Sequence, residues 1–384
     1  MNGSAHSAVV QPLEAGALLR LSLEGAAPSF TWAHPSRGIW AAGLGEAASA
    51  IGTVQWQGEA PAGMPGPFFG GFNFEGVEQW RLPRVLAFWS AGRNWAAAFD
   101  DPTAFARLSE AEPVVAENAG RRAGGTTVDH WNALVAKALT AIRGRAMSKV
   151  VVARTIEVEC ERPIEVRRVL KALEARFPTC RTFSFRTGEE TFVGATPELL
   201  GEASGGRFST EALAGTSSRA DAAALLKSEK DRAEHQAVVD GIRASLSKVT
   251  QGIEHAAEPE LRLLANVAHL CTPISAALPE GDDGFSFARA LHPTAATCGT
   301  PREAAQAFLK RHEGFDRGWY AGAVGYRGAG SMHLSVALRC ATIRGNQATL
   351  YVGAGIVEGS TAEAEWLETE RKASTMLSAL GVTP

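Results

Sequence analysis

What this sequence lacks narrows it first. It has only five cysteines in 384 residues: Cys160, Cys180, Cys271, Cys298 and Cys340. No two form a CxxC pair and the number is odd, which argues against a zinc site or a disulfide framework. Reduced thiols in a cytoplasm fit that usage. There is no basic stripe either. The 38 Lys and Arg stand against 41 Asp and Glu, a net charge of −3, which argues against a nucleic-acid partner. An anionic small molecule remains open, because a local pocket needs only a few cations. The opening MNGSAHSAVVQPLEAG has no basic n-region and no long apolar core, so neither a signal peptide nor a membrane span is expected. Short-period repeats and low-complexity tracts are absent. No long exposed apolar helix stands out, and a monomer is expected.

What is present is a large core. Hydrophobic residues make up 45% of the chain, enough for one large domain or two ordinary ones. Residues 1 to about 115 read as strand-rich and irregular, with FFGGFNFEG (68–76) as a tight packing corner. AENAGRRAGGTTVDH (116–130) reads as a linker or exposed loop. Helical spacing follows in WNALVAKALTAIRGR, ending near Gly144, and in RPIEVRRVLKALEARFP, stopped by Pro178. RTFSFRT and TFVGAT read as paired strands. A long helix is expected over 220–250, and others over 302–313 and 362–380. Strands are expected in WYAGAVGYR, MHLSVALRCATI and ATLYVGAGIV. Strands in runs with helices between them predict an α+β fold rather than regular βαβ alternation.

In three stretches, charged residues sit where apolar ones are expected. In RAMSKVVVART, Lys149 immediately precedes the β-branched run Val150–Val151–Val152. It either snorkels to water at a strand edge or is an amine held in a closed site, where burial makes it a usable base. In KSEKDRAEHQAVVDGIRASLSKV, the row Val238, Ile242 and Leu246 steps back by four to Glu234 and then to Lys230. Glu234 is either an exposed residue near a helix start or an inward carboxylate. In the last helix, Met376 and Leu380 extend back through Lys372 to Glu368, with Glu365 on the same side. Glu368 and Lys372 also suit an ordinary i,i+4 surface pair. This helix follows YVGAGIVEGS, whose Gly353 and Gly355 allow close backbone approach. Inward carboxylates must be paired, protonated or metal-bound. Oxygen donors from two helices, without His or Cys clusters, suit Mg²⁺, which takes one or two carboxylates and keeps waters.

The chain resembles the chorismate-utilising enzymes over roughly residues 125–384. The resemblance rests on SKVVVAR (148–154), GATPELL (194–200), EALAGT (211–216), KDRAEHQAVVD (230–240), HLCTPI (269–274), LHPTAATCGTP (291–301), RGWYAGAVGY (317–326), VALR (336–339) and GAGIVEGSTAEAEWLETERK (353–372). Their order in one chain is the specific feature. Residues 1–120 match loosely, mainly through FFGGFNFEG, and are taken as an N-terminal part of the same fold, with the catalytic region over 125–384. The resemblance implies a large layered α+β fold, mainly antiparallel sheets flanked by helices, with the site in the cleft between them.

Within this family, members that use water resemble one another in having a lysine at the Lys149 position. Isochorismate synthases usually have alanine at the Ala296 position, where ammonia users have threonine. Both markers imply an isochorismate synthase of menaquinone or siderophore type, with no glutaminase subunit. The resemblance further implies Lys149 as base, Glu198 as acid, and Glu234 and Glu368 as Mg²⁺ ligands, with Glu365 acting through a metal water. It places Gly215, Thr216, His269, Ala296, Tyr320, Arg339, Gly353, Gly355 and Lys372 around chorismate. His292 is read as structural. Two departures are visible. Thr297 stands where a larger apolar residue is usual, and RGAGS, read as a solvent loop, lacks the usual acidic turn. A salicylate synthase, which also expels pyruvate, and a non-catalytic chorismate-binding regulator are the competing readings. The regulator requires a lost base, acid or metal ligand, and none is lost.

Overall fold

A computed structural model describes residues 5–14, 18–57, 64–90, 92–110, 118–263, 267–328 and 330–382. The described strands form a thirteen-stranded sheet, a nine-stranded sheet and a small separate pair. Nearly every pairing is antiparallel; the exception joins Ala5–Pro12 to Thr53–Gln57. Helices flank the sheets, as an α+β sequence pattern predicts. No helix among the described residues is long and apolar enough to cross a membrane.

The N-terminal residues enter both sheets. Phe30–His34 pairs with Arg181–Thr187 in the large sheet, with Trp32 opposite Phe183. Phe68–Phe72 pairs with Ala323–Gly328 in the smaller one. The close pairing explains the glycines of FFGGFNFEG. Gly71 has φ +152, and a Cβ there would lie 1.9 Å from the Ala323 carbonyl oxygen. One apolar core runs between the sheets and includes Phe30, Phe69, Phe72, Phe183, Val150 and Val336. A second lies where the helices Val166–Arg176 and Ala362–Ala379 cover the outer face of the large sheet.

Three elements depart from the sequence expectation. The stretch read as a linker contains an edge strand, Gly120–Gly125, whose side is exposed but whose backbone pairs with Lys149–Cys160. Its first two residues, 116 and 117, lie outside the described residues. The single helix expected over 220–250 is two. Ala222–Leu225 ends, and Glu229–Leu246 restarts behind Ser228, whose hydroxyl accepts from the Asp231 N–H. That N-cap satisfies a donor that an uninterrupted helix would not expose. The strand expected through MHLSVALRCATI is broken between Ser331–Val336 and Cys340–Arg344. At the break Arg339 adopts φ +47, a left-handed conformation uncommon outside glycine. Ala329, in RGAGS, lies outside the described residues.

Candidate active site

A cavity of about 430 Å³ opens between the two sheets. Its size falls within the range of small-molecule sites. Lys149, Val151, Gly353 and Gly355 reach it from the large sheet, Glu211, Gly215 and His269 from the smaller one. Helix Glu229–Leu246 contributes Glu234 and Val238, and helix Ala362–Ala379 contributes Glu365, Glu368 and Lys372. Glu198, Ala296, Tyr320 and Arg339 also line it. Every site residue expected from the sequence lines this cavity except Thr216, whose side chain lies outside the described residues.

Lys149 sits at the start of Lys149–Cys160, which runs antiparallel to Gln347–Ile356 with Val151 opposite Gly355 and Ala153 opposite Gly353. This register explains both glycines. A Cβ at Gly355 would come 3.0 Å from Lys149 Cε, and one at Gly353 would come 2.6 Å from the Tyr320 hydroxyl oxygen. Burial drives the Lys149 amine below its ordinary range, against the opposing pull of Glu234, Glu198 and Glu368 and with the help of Lys372. Glu198 lines the same cavity, and burial pushes its carboxyl up to about 7. Lys149, Arg339 and Lys372 pull it down, and Glu211 adds to the rise. Pro197 precedes Glu198, and the Arg181 guanidinium donates to the Pro197 carbonyl at 2.9 Å, fixing that turn.

The last helix confirms its inward face. Glu365, Glu368 and Lys372 all line the cavity. Lys372 donates to Glu368 Oε1 at 2.5 Å and to the Gly353 carbonyl at 2.9 Å, so the i,i+4 pair exists but belongs to the cleft. Burial raises the Glu365 carboxyl, which accepts from Ser360 Oγ at 2.8 Å. Glu234 is exposed on its helix, and what it is exposed to is the cavity. In the row Val238, Ile242 and Leu246, Leu246 is fully buried and Val238 and Ile242 are partly buried; His235 and Val239, on the neighbouring row, are fully buried. Glu234, Glu365 and Glu368 are oxygen donors from two helices. Among the described residues, no group of three His, Cys, Asp or Glu gathers tightly enough to hold a metal alone. Such a sparse, oxygen-only set fits Mg²⁺ with waters and substrate oxygens in its shell, and fits zinc poorly.

The remaining predicted residues also find physical roles. Gly215 has φ +70 at a bulge between Ala214 and Thr216, and its carbonyl lies 3.2 Å from His269 Nδ1. Burial lowers the His269 imidazole below its ordinary value. Tyr320 is buried against Tyr351, ring centroids 5.6 Å apart. Among the described residues, no hydrogen bond or ion pair ties down the Arg339 guanidinium, which faces the cavity. His292 lies outside the lining; its Nε2 is 2.9 Å from the Phe74 carbonyl, and burial lowers it to about 4. Sequence reasoning missed Glu211 and Arg262, which pair at 2.9 Å on the cavity wall. Glu211 lies in EALAGT, where strand alternation from Gly215 would have put it on the same face. Arg262 carries no local signal.

Comparison with known proteins agrees with this geometry. Residues 94–381 match the family model described as chorismate binding enzyme. The chain is 39% identical over 259 residues to the salicylate biosynthesis isochorismate synthase of Pseudomonas aeruginosa, covering 65% of this chain and 54% of that protein. It therefore spans about half the length of that relative. It is 32% identical over 338 residues to the isochorismate synthase MenF of Haemophilus influenzae, covering 81% of this chain and 77% of that one. The solved structure of MenF, the menaquinone-specific isochorismate synthase from Escherichia coli, superposes with a TM-score of 0.85 at 26% identity, over 99% of this chain and 95% of that one. Anthranilate synthase component I of Streptococcus pneumoniae shares the fold at 19% identity and a TM-score of 0.71. With three quarters of its length matched by one family model and a common architecture throughout, the chain belongs to the chorismate binding enzyme family.

Proposed function

We propose that the protein is an isochorismate synthase, converting chorismate reversibly to isochorismate. The observation that carries this reading is the opposed pair in one cleft: an amine below its ordinary range, Lys149, and a carboxyl held up to about 7, Glu198. Water attacks ring C2 while neutral Lys149 takes its proton. The C1=C2 and C5=C6 double bonds move to C1=C6 and C4=C5. The C4 hydroxyl leaves as water with the proton from Glu198. One water enters and one departs, so no oxidant or reductant is needed. Base and acid each contribute roughly 10²–10⁴-fold. Microscopic reversibility exchanges their roles in the return direction.

The other residues position the substrate. Arg339 and Tyr320 take the enolpyruvyl carboxylate, for which a planar guanidinium is suited. The backbone at Gly215 takes the ring carboxylate, Thr216 is assigned to it by the family resemblance alone, and Lys372 adds positive charge. His269 lies beside the ring, and Ala296 leaves room for it. Glu234 and Glu368 would hold Mg²⁺, with Glu365 orienting a metal water. Bound there, the ion would supply positive charge to an anionic carboxylate of the substrate. The reading requires no glutaminase subunit, because water replaces ammonia, and takes the chain as a cytoplasmic monomer.

The test is the product. Chorismate, enzyme and Mg²⁺ are followed by proton NMR, with pyruvate measured in parallel through lactate dehydrogenase. The expected result is an equilibrium mixture of chorismate and isochorismate, with pyruvate at the rate seen without enzyme. Stoichiometric salicylate and pyruvate would make the protein a salicylate synthase instead. Tight chorismate binding with no turnover would make it a regulator.

A further inference from the structure

The buried ion pair Glu313–Arg317 lies behind the cavity wall and has no place in the reaction described above. Both side chains are almost fully buried, at 4% and 3% exposure. Arg317 Nε and Nη2 reach the two Glu313 oxygens at 2.6 and 2.7 Å. A buried pair of this kind is costly to desolvate and is weak evidence for stability in itself. Its remaining bonds indicate its use. Arg317 donates through Nη2 to the Val151 carbonyl at 2.6 Å and through Nη1 to the Thr297 carbonyl at 2.8 Å. Glu313 Oε1 accepts from the Ala153 N–H at 2.7 Å.

These bonds fill a gap in the large sheet. One edge of Lys149–Cys160 pairs with Gly299–Thr300 at Lys149 and Val150, and with Gly120–Gly125 from Ile156 onward. Between those partners no described strand covers the edge. The Val151 N–H donates to the Cys298 carbonyl, and Thr155 bonds with Thr126. Of the groups left over, Arg317 takes the Val151 carbonyl and Glu313 takes the Ala153 N–H. Buried backbone groups must find partners, and here two side chains stand in for a strand. The pair also holds Thr297, next to Ala296 on the wall, and the Arg317 carbonyl accepts from the Tyr320 N–H at 2.9 Å. Phe74 of the FFGGFNFEG corner covers the guanidinium at 4.4 Å.

We propose that Glu313 and Arg317 are positioning residues, a side-chain surrogate for the missing strand that holds Lys149, the Ala296–Thr297 wall and Tyr320 in one register. Neither touches the substrate. The inference deepens the isochorismate reading and rests on it for the role of Lys149. Misplacing a catalytic group by about 1 Å costs on the order of 10²-fold in rate. Loss of the pair should therefore appear in kcat and not in substrate binding.

The test compares wild type with Arg317→Lys, which keeps the charge and loses the fork, and with the neutral pair Glu313→Gln/Arg317→Met. Circular dichroism checks the fold, steady-state kinetics separates kcat from KM, and hydrogen exchange is read by peptide. In a folded variant, kcat should fall about 10–100-fold with KM within about threefold. Exchange should speed up in the peptides covering residues 150–155 and 295–299 and stay unchanged elsewhere. A folded variant with kcat within about threefold of wild type would overturn the proposal. Faster exchange spread evenly over the chain, or failure of both variants to fold, would overturn it too, by assigning the pair to general stability. The exchange measurement needs no turnover. A failure of the isochorismate reading, seen in wild type or in Lys149→Ala, is thus distinguishable from a failure of this one.

Discussion

A lysine before three valines has two physical outcomes, and the difference lies in what stands beside it. Lys149 is half-buried between sheets, next to a glycine whose missing side chain makes room for it. Spacing alone left both outcomes open, because the facing glycine comes from a strand about 200 residues away. If the amine is the base, Lys149→Ala should lose at least about 10²-fold in kcat while chorismate still binds. A variant keeping more than a tenth of wild-type kcat would remove Lys149 from the mechanism. Glu198 offers a second check through stability. Its carboxyl titrates at about 7 in the fold and near its ordinary 4.5 when unfolded. Between those values the native state binds more protons than the unfolded one, so stability falls as pH rises from 4.5 through about 7. Glu198→Gln cannot ionise and escapes that loss. It should be inactive, with a melting temperature above wild type at pH 8 and no such advantage at pH 4. Equal melting shifts at both pH values would mean that Glu198 is not held protonated. The direction of this shift suits TPELL, where Pro197, Leu199 and Leu200 flank the carboxyl, because apolar surroundings raise a carboxyl. Its size depends on Lys149, Arg339 and Lys372, which come from elsewhere in the chain.

At the scale of elements, helical period carried most of the information. The row through Lys372, Glu368 and Glu365 identified the cavity face of Ala362–Ala379 correctly, because a straight helix preserves its period from end to end. That helix is tied to the lysine strand by Arg154, which donates to Thr369 Oγ1 at 2.7 Å and to Glu370 at 2.5 Å while lying 3.8 Å from the Trp366 ring. Its acidic face is thereby fixed against the strand that carries Lys149. What period could not reveal were interruptions. The Ser228 cap, a local bond from the Asp231 N–H three residues on, splits one helical pattern, and the left-handed turn at Arg339 interrupts one strand pattern; hydrophobic period registers neither. If helices Glu229–Leu246 and Ala362–Ala379 supply the magnesium ligands, Glu234→Ala and Glu368→Ala should each stay folded but inactive. Calorimetry should show no Mg²⁺ binding to either variant at concentrations that saturate wild type. EDTA should silence wild type, and Mg²⁺ should restore it. Full activity in metal-free buffer, or unaltered Mg²⁺ binding by both variants, would remove these carboxylates from the site.

At the scale of the whole molecule, the N-terminal third was the least legible part. Its strands are short, and the two that join it to the rest of the chain, Phe30–His34 and Phe68–Phe72, find those partners more than a hundred residues away, beyond the reach of any local pattern. The family match begins at residue 94, so most of this region also lies outside it. Yet it completes both sheets. Phe30–His34 covers the Arg181–Thr187 edge, Phe68–Phe72 covers the Ala323–Gly328 edge, and the Phe30 and Phe69 rings stack at 4.0 Å between the sheets. Phe74 reaches further, to the guanidinium that supports the lysine strand. Removing residues 1–117 would expose two long, apolar strand edges at once, the arrangement most prone to edge-to-edge association. It would also uncover core aromatics, each worth about 3–5 kcal/mol when truncated, against a total stability of about 5–15 kcal/mol for a typical domain. Residues 118–384 expressed alone should therefore fail to form a soluble, cooperatively melting monomer, although every catalytic and metal-binding residue proposed here lies within them. Size-exclusion chromatography and near-ultraviolet circular dichroism read the outcome directly. A monomeric fragment with fixed aromatic signals and wild-type kcat would show that the cleft is built by the C-terminal residues alone, and that the N-terminal strands decorate a site they do not support.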